Sequence, residues 1–210
     1  MNVKTLLLEL AFILTFFTLA SGCGLSRPYP AIRSFTLEAD LGIDLSERQL
    51  SNKPPLLHVL PVGAAAACET RKLVYKIGPN ELSEDFYNEF TGLPARMIAD
   101  ETARILEAQG LFLTERTDTL KNPDYILEIF LNAFHGSFVS NQYLAIMEVK
   151  FTLYNVKRSP TVIFTKTYKV EEPLPDSGDR PSQLASGLGR ALGRIIYSLS
   201  EDVKALGSVR

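Results

Sequence analysis

The sequence predicts an α+β fold: a single domain with a mixed, mostly antiparallel sheet and two helices packed on one face, after a separate amino-terminal segment. Three observations carry this reading. From Tyr125 to Val170, apolar and polar residues alternate through three long runs joined by short polar turns, and such turns suit antiparallel strands but not parallel crossovers. Two segments, beginning near Pro94 and Pro181, instead space their apolar residues three and four apart, as a helix with one buried stripe does. Shorter strand patterns precede the first helix, so strands and helices are segregated and do not alternate strictly.

The first 22 residues do not belong to that domain. Lys4 is followed by an uncharged run from Leu10 to Leu19, and then by Ala20-Ser21-Gly22-Cys23. A basic start, an apolar core of about 7–15 residues and small residues before the cut make a signal peptide. A membrane span falls short, since it needs roughly 20 apolar residues and Glu9 interrupts this run. An ordinary cleaved signal would release a soluble protein and leave Cys23 incidental. The placement of a cysteine directly after the small residues resembles the lipobox of bacterial lipoproteins. That resemblance implies a diacylglyceryl group and acyl chains such as palmitate on Cys23, the first residue of the mature chain. On this reading residues 1–22 are the signal, 23–32 an extended lipidated tether containing Pro28 and Pro30, and 33–210 the folded domain.

Within the domain, Phe35, Leu37, Ala39 and Leu41 alternate with polar neighbours and predict a first strand. A polar linker from Ser46 to Pro55 leads to Leu56–Val62, whose continuous apolar character suits a central strand. A small-residue loop follows from Ala64 to Thr70, then a third strand over Lys72–Ile77, turned by Gly78-Pro79-Asn80. Glu81–Gly92 is acidic yet carries Phe86, Tyr87 and Phe90. The first helix opens at Pro94, buries Ala95, Ile98, Thr102, Ile105 and Leu106, and stops at Gly110. After a short strand over Leu111–Glu115, the long run places Tyr125, Leu127, Ile129, Leu131 and Ala133 on one face and Phe130, Phe134 and Phe138 on the other. Ser140-Asn141-Gln142 turns into the Tyr143–Leu153 strand, and Lys157–Pro160 into the Val162–Val170 strand. The last helix, about 181–205, carries Leu184, Leu188, Ala191, Leu192, Ile195, Leu199 and Val203 as its stripe.

Composition narrows the function classes. With 22 basic and 24 acidic side chains the net charge is −2, and the charges are interspersed, so no basic face for nucleic acid is expected. If Cys23 carries lipid, Cys68 has no intramolecular partner and reads as a small half-buried hydrophobe rather than a reactive thiol. His58 and His135 are far apart in sequence and fit no metal-ligand spacing. His135 and Ser137 are expected on opposite strand faces, which excludes a nucleophile pair. Glu84-Asp85 and Glu171-Glu172 read as solvated loop charges. Neither a catalytic constellation nor a cofactor or metal site is therefore expected, apart from the covalent lipid.

Two features have no catalytic reading but invite contacts. Phe86, Tyr87 and Phe90 are read in a loop, either as a surface for a partner or lipid or as a lid folded over the sheet edge. Ala185, Gly189 and Gly193 recur every fourth residue and make a smooth helix ridge, suited to close helix packing within the domain or to a subunit contact.

Several segments in order resemble the family of ABC-type transport auxiliary lipoproteins. They are the lipobox at Cys23, Leu57-His58-Val59-Leu60-Pro61-Val62, Thr70-Arg71-Lys72-Leu73-Val74-Tyr75, Phe86-Tyr87-Asn88-Glu89-Phe90, Leu93-Pro94-Ala95-Arg96-Met97-Ile98, Leu106-Glu107-Ala108-Gln109-Gly110-Leu111-Phe112 and Asp124-Tyr125-Ile126-Leu127-Glu128. One departure is that the family often has tryptophan near the Phe90 position, and this chain has none. The resemblance implies a non-enzymatic accessory lipoprotein of a lipid transporter, partnered by a mammalian cell entry (MCE) protein and by the permease and ATPase of an ABC system. Gly24, not aspartate, follows the lipidated cysteine, which favours the periplasmic face of the outer membrane. Homo-oligomerisation is left open, and so is a structural or assembly lipoprotein of the outer membrane.

Overall fold

One strand is long enough to take two neighbours on the same edge. β6 (Tyr125–Val139) pairs antiparallel along its whole length with β7 (Gln142–Asn155). On its other edge it first runs parallel to β2 (Leu56–Ala64), from Tyr125 to Leu131, and then parallel to β3 (Lys72–Gly78), at Gly136 and Ser137. β5 (Leu113–Glu115) lies parallel beyond β2. β4 (Glu81–Phe90) folds back antiparallel on β3, and β1 (Arg33–Phe35) joins it in parallel. On the far side β8 (Thr161–Pro173) pairs antiparallel with β7. The sheet is mixed and 8-stranded, with its longest ladders antiparallel as the sequence predicts.

The computed structural model describes residues 30–42, 54–115, 122–139, 142–157 and 159–207. The predicted export segment, Cys23, most of the predicted tether and linker, and Ser140-Asn141 lie outside them. The chain divides into Met1–Ala31 and Ile32–Arg210, and every strand and helix described here belongs to the second unit.

A bulge in β6 corrects the expected faces. Register with β7 shifts between Leu131 and Ala133, close to where the β2 ladder ends. An extra residue in a strand reverses which side the following residues face. Phe134 therefore joins Tyr125, Leu127, Ile129 and Leu131 in the core, and Ala133 turns to the opposite face. Phe138 follows Phe134 and stacks beside Tyr143 at 6.2 Å, although it stays half exposed at the strand end. Phe130 alone of the three faces away from the helices.

Two helices cover the inner face. α1 (Pro94–Ala108) lies over β2, β5 and β6, and α2 (Arg180–Ala205) over β6, β7 and β8. The expected α2 stripe is buried throughout. Gly110 ends α1 with φ +70°, where its N–H reaches the Glu107 carbonyl and the Leu111 N–H reaches that of Leu106. This is the Schellman closure that glycine permits.

The first predicted strand is only partly a strand. β1 ends at Phe35, and Thr36–Leu41 continues as an extended strap outside the sheet. Its alternation is real, since Leu37 is buried while Thr36, Glu38 and Asp40 are exposed, but the surface it alternates against is helical. The Asp40 N–H donates to the Gly189 carbonyl at 3.1 Å, and the Ala39 N–H to the Glu101 carboxylate of α1 at 2.9 Å. This strap also explains the helix ridge. A Cβ at Gly189 would lie 2.5 Å from the Glu38 carbonyl oxygen, and one at Gly193 only 1.9 Å from that of Asp40. At Gly189 and Gly193 the ridge is met by this chain's own strap backbone, not by a second helix.

Replacing Gly193 by alanine tests that contact. Helix propensity favours alanine by about 1 kcal/mol, whereas overpacking costs about 1–3 kcal/mol or more. Gly193→Ala is therefore expected to lower Tm by several degrees in a thermal melt. A neutral or raised Tm would mean that the strap does not press on the helix.

Candidate functional site

The site is built at the edge where β4 leaves its ladder. Lys72 pairs with Glu89 and Val74 with Glu84, so β4 carries three residues more than β3 over the same interval. Asp85 gathers that excess into a bulge: its Oδ1 accepts the N–H groups of Tyr87 and Asn88 and the Asn88 side-chain amide, at 2.9–3.1 Å. The Lys72 ammonium reaches the Phe86 carbonyl at 3.4 Å. Glu89 is paired with Arg71 at 2.9 Å and Lys72 at 3.1 Å. β1 covers only Asn88–Phe90, leaving the bulge without a strand neighbour on that side.

This geometry divides the three aromatic residues that the sequence groups together. Phe86 is 68% exposed and Tyr87 36%, with their rings edge to face at 4.9 Å. Phe90 is fully buried and stacks on Phe134 at 5.1 Å. The loop expectation is thus corrected: all three lie in β4, Phe90 is core, and only Phe86 and Tyr87 form a surface feature. Sequence reading missed β4 because most of its residues are exposed. Glu84 and Asp85 belong to this strand. Glu172 is also no loop charge: it sits 6% exposed in β8, paired with Arg190 at 2.8 Å and Arg194 at 3.2 Å from α2.

The chain entry lies beside the bulge. Arg33, level with Asn88 in the ladder, forks onto Asp179 at 3.0 and 2.6 Å and packs over Phe35 at 5.1 Å. Asp179 also accepts from Ser182 at the start of α2. Arg33 and Ser182 together hold the Asp179 carboxyl well below the usual carboxylate range.

The outer sheet face carries two adjoining hollows, of about 390 and 510 Å³, that share Lys76, Ala133 and His135. Ser137 lines the second with His135, correcting the expectation of opposite faces, because residues two apart in a strand share a face. The charges that shift His135 are cationic: burial lowers its pKa, and Lys76 and Lys169 lower it further. Glu148 and Glu171 line the same hollow as His135. Cys68 is buried, and desolvation raises its thiol pKa, so its expected reading as an inert hydrophobe fits. Among the described residues no group of three His, Cys, Asp or Glu could hold a metal, and no helix is long and apolar enough to cross a membrane.

Two outcomes follow. Phe90→Ala should cost about 3–5 kcal/mol in urea unfolding, while Phe86→Ser should stay within about 0.5 kcal/mol; equal losses would contradict the division. As pH falls below about 6.5 the unfolded chain binds a proton at His135 before the folded one does, so this residue withdraws stability on the acid side. Lys76, Lys169, Glu148 and Glu171 line its hollow. His135→Gln should flatten the fall in the urea midpoint between neutral pH and about pH 5; an unchanged fall would assign it elsewhere.

Comparison with known proteins fits this architecture. The family described as "ABC-type transport auxiliary lipoprotein component" matches residues 39–199, from the strap to the last turns of α2. No curated protein sequence matches the chain. A Xanthomonas campestris protein assigned to DUF330 superposes with a TM-score of 0.65 at 19% identity, over 85% of this chain and 94% of that one. A second crystal structure, of an uncharacterised protein, gives 0.60 at 11% identity over 74% and 96%. At these identities the likeness is one of fold.

Proposed function

Because this chain belongs to the family of ABC-type transport auxiliary lipoprotein components, we propose that it is a non-enzymatic accessory subunit, anchored by lipid on Cys23 at the periplasmic face of the outer membrane. In that place it serves an MCE-type ABC system that moves lipid or another hydrophobic substrate across the envelope. The observation that carries this reading is the family match itself, which spans the described domain almost from end to end. The site geometry supports it. Phe86 and Tyr87 stand exposed on β4 and Cys68 is buried, which suits a surface that works by contact.

The anchor suits the same role. One acyl chain binds a bilayer only marginally, whereas two or more hold stably. The strap carries that attachment into both helices through Ala39 and Asp40. A domain so held remains in place while its transporter cycles.

Wild-type protein should incorporate labelled palmitate and stay in the membrane fraction through a carbonate wash, whereas Cys23→Ser should be folded, unlabelled and soluble. Retention of Cys23→Ser would refute the anchor. Detergent-solubilised protein should co-purify with an ABC ATPase and an MCE protein; recovery of an envelope assembly machine instead would favour the structural alternative.

A further inference from the structure

We propose that the Phe86–Tyr87 bulge, together with Ile32, is a foot that rests in the interfacial layer of the membrane carrying the anchor. This rests on the reading of Cys23 as the acylated residue. Ile32 is 57% exposed and immediately precedes Arg33, which is level with Asn88, so the chain enters the domain alongside the bulge. Ile32 comes nine residues after Cys23. Even fully extended, that stretch spans roughly 30 Å at about 3.3–3.6 Å per residue. The exposed aromatic pair is therefore at the point of the domain where the tether attaches, within a short reach of the bilayer.

The chemistry of the bulge suits that layer. An apolar ring beside a tyrosine, whose polar tip can stay wet, is the pairing found where membrane meets water. Backbone entering a drier medium must already be satisfied. Here Asp85 takes the N–H groups of Tyr87 and Asn88, and Lys72 reaches the Phe86 carbonyl. Arg33 is paired with Asp179, and Arg71 and Lys72 with Glu89, so the charges beside the bulge are neutralised within the domain and the contact rests on the two rings. A strand-adding protein partner would want a regular edge, which this bulge interrupts.

The chain contains no tryptophan, so Phe86→Trp supplies a single indole. The acylated full-length variant would be placed in vesicles of phosphatidylethanolamine and phosphatidylglycerol. Its emission should shift to the blue and be quenched by lipids brominated on their acyl chains. Tyr197→Trp, at a position 52% exposed on α2, should remain water-like. In a Cys23→Ser background, the F86S/Y87S pair should weaken residual vesicle binding by about tenfold or more. If the indole at position 86 is as wet as that at 197 on vesicles that retain the protein, the foot is wrong while the anchor stands. If the purified protein lacks acyl groups by mass, the anchor falls and the foot with it. A shift that appears only when transporter components are added would make the patch a protein-docking site and overturn the proposal.

Discussion

A buried strand must pair its backbone groups on both edges, because each unpaired N–H or C=O away from water costs about 1–3 kcal/mol. β6 meets this demand with three partners: β7 along one edge, and β2 then β3 along the other. The bulge between Leu131 and Ala133 falls between the two parallel partners and has a second effect. Without it, Phe134 would point away from the helices and lose Phe90, and Ala133 would take its place in the core. One irregular residue thus lets the sheet fork while Phe134 stays on the face of Tyr125, Leu127, Ile129 and Leu131. β2 adjusts at the same level, with its own irregularity between Pro61 and Gly63 and Gly63 against the Phe130 ring.

The helix side of the core depends on close approach. Gly187 lets α2 sit against Ala145 and Leu174, and Gly189 and Gly193 let the strap backbone lie on its other side. Each glycine costs a helix about 1 kcal/mol relative to alanine. The return is a buried Leu37 and a strap hydrogen-bonded to both helices. The Glu172 pairings with Arg190 and Arg194 act nearby, between β8 and α2. Removing one partner of so buried a carboxylate typically costs about 3–5 kcal/mol, so these ions fix the seating of α2 even where their net contribution to stability is small.

Periodicity made the repeated parts of this fold legible. Both helices, the α2 stripe and the β6–β7–β8 meander depend on patterns that extend over many residues. Single residues and edges were not legible in the same way. The bulge at Leu131/Ala133 leaves no mark in composition, and it reversed the faces of Phe134 and Ala133. β4 escaped because most of its residues are exposed, so no hydrophobic alternation marks it. The Phe35–Leu41 alternation reported burial correctly but not the partner, since period two arises whenever an extended chain crosses an apolar surface. At the site, grouping Phe86, Tyr87 and Phe90 by proximity in sequence concealed that Asp85 divides them, turning two outward while Phe90 stays in the core. The Ala185, Gly189 and Gly193 ridge was visible as a contact surface, but its occupant was not, because strap and helix are about 150 residues apart.

The same division explains why so little identity accompanies so much shared fold. At 19% identity the Xanthomonas campestris protein still superposes over most of both chains. Strand parity, edge pairing and a few close approaches constrain residue class and size, and many sequences meet such terms. Surface features are under no such constraint from the fold. Phe86 contributes almost nothing to the core, and with Tyr87 it forms an exposed apolar patch of the kind that marks a contact surface. The two rings stand beside β1, where Ile32 and Arg33 lead the chain into the sheet, on a bulge whose N–H groups Asp85 already accepts, so the part of the surface least needed for folding lies next to the start of β1. A contact made there would act on β1 and β4 without disturbing the core pair of Phe90 and Phe134.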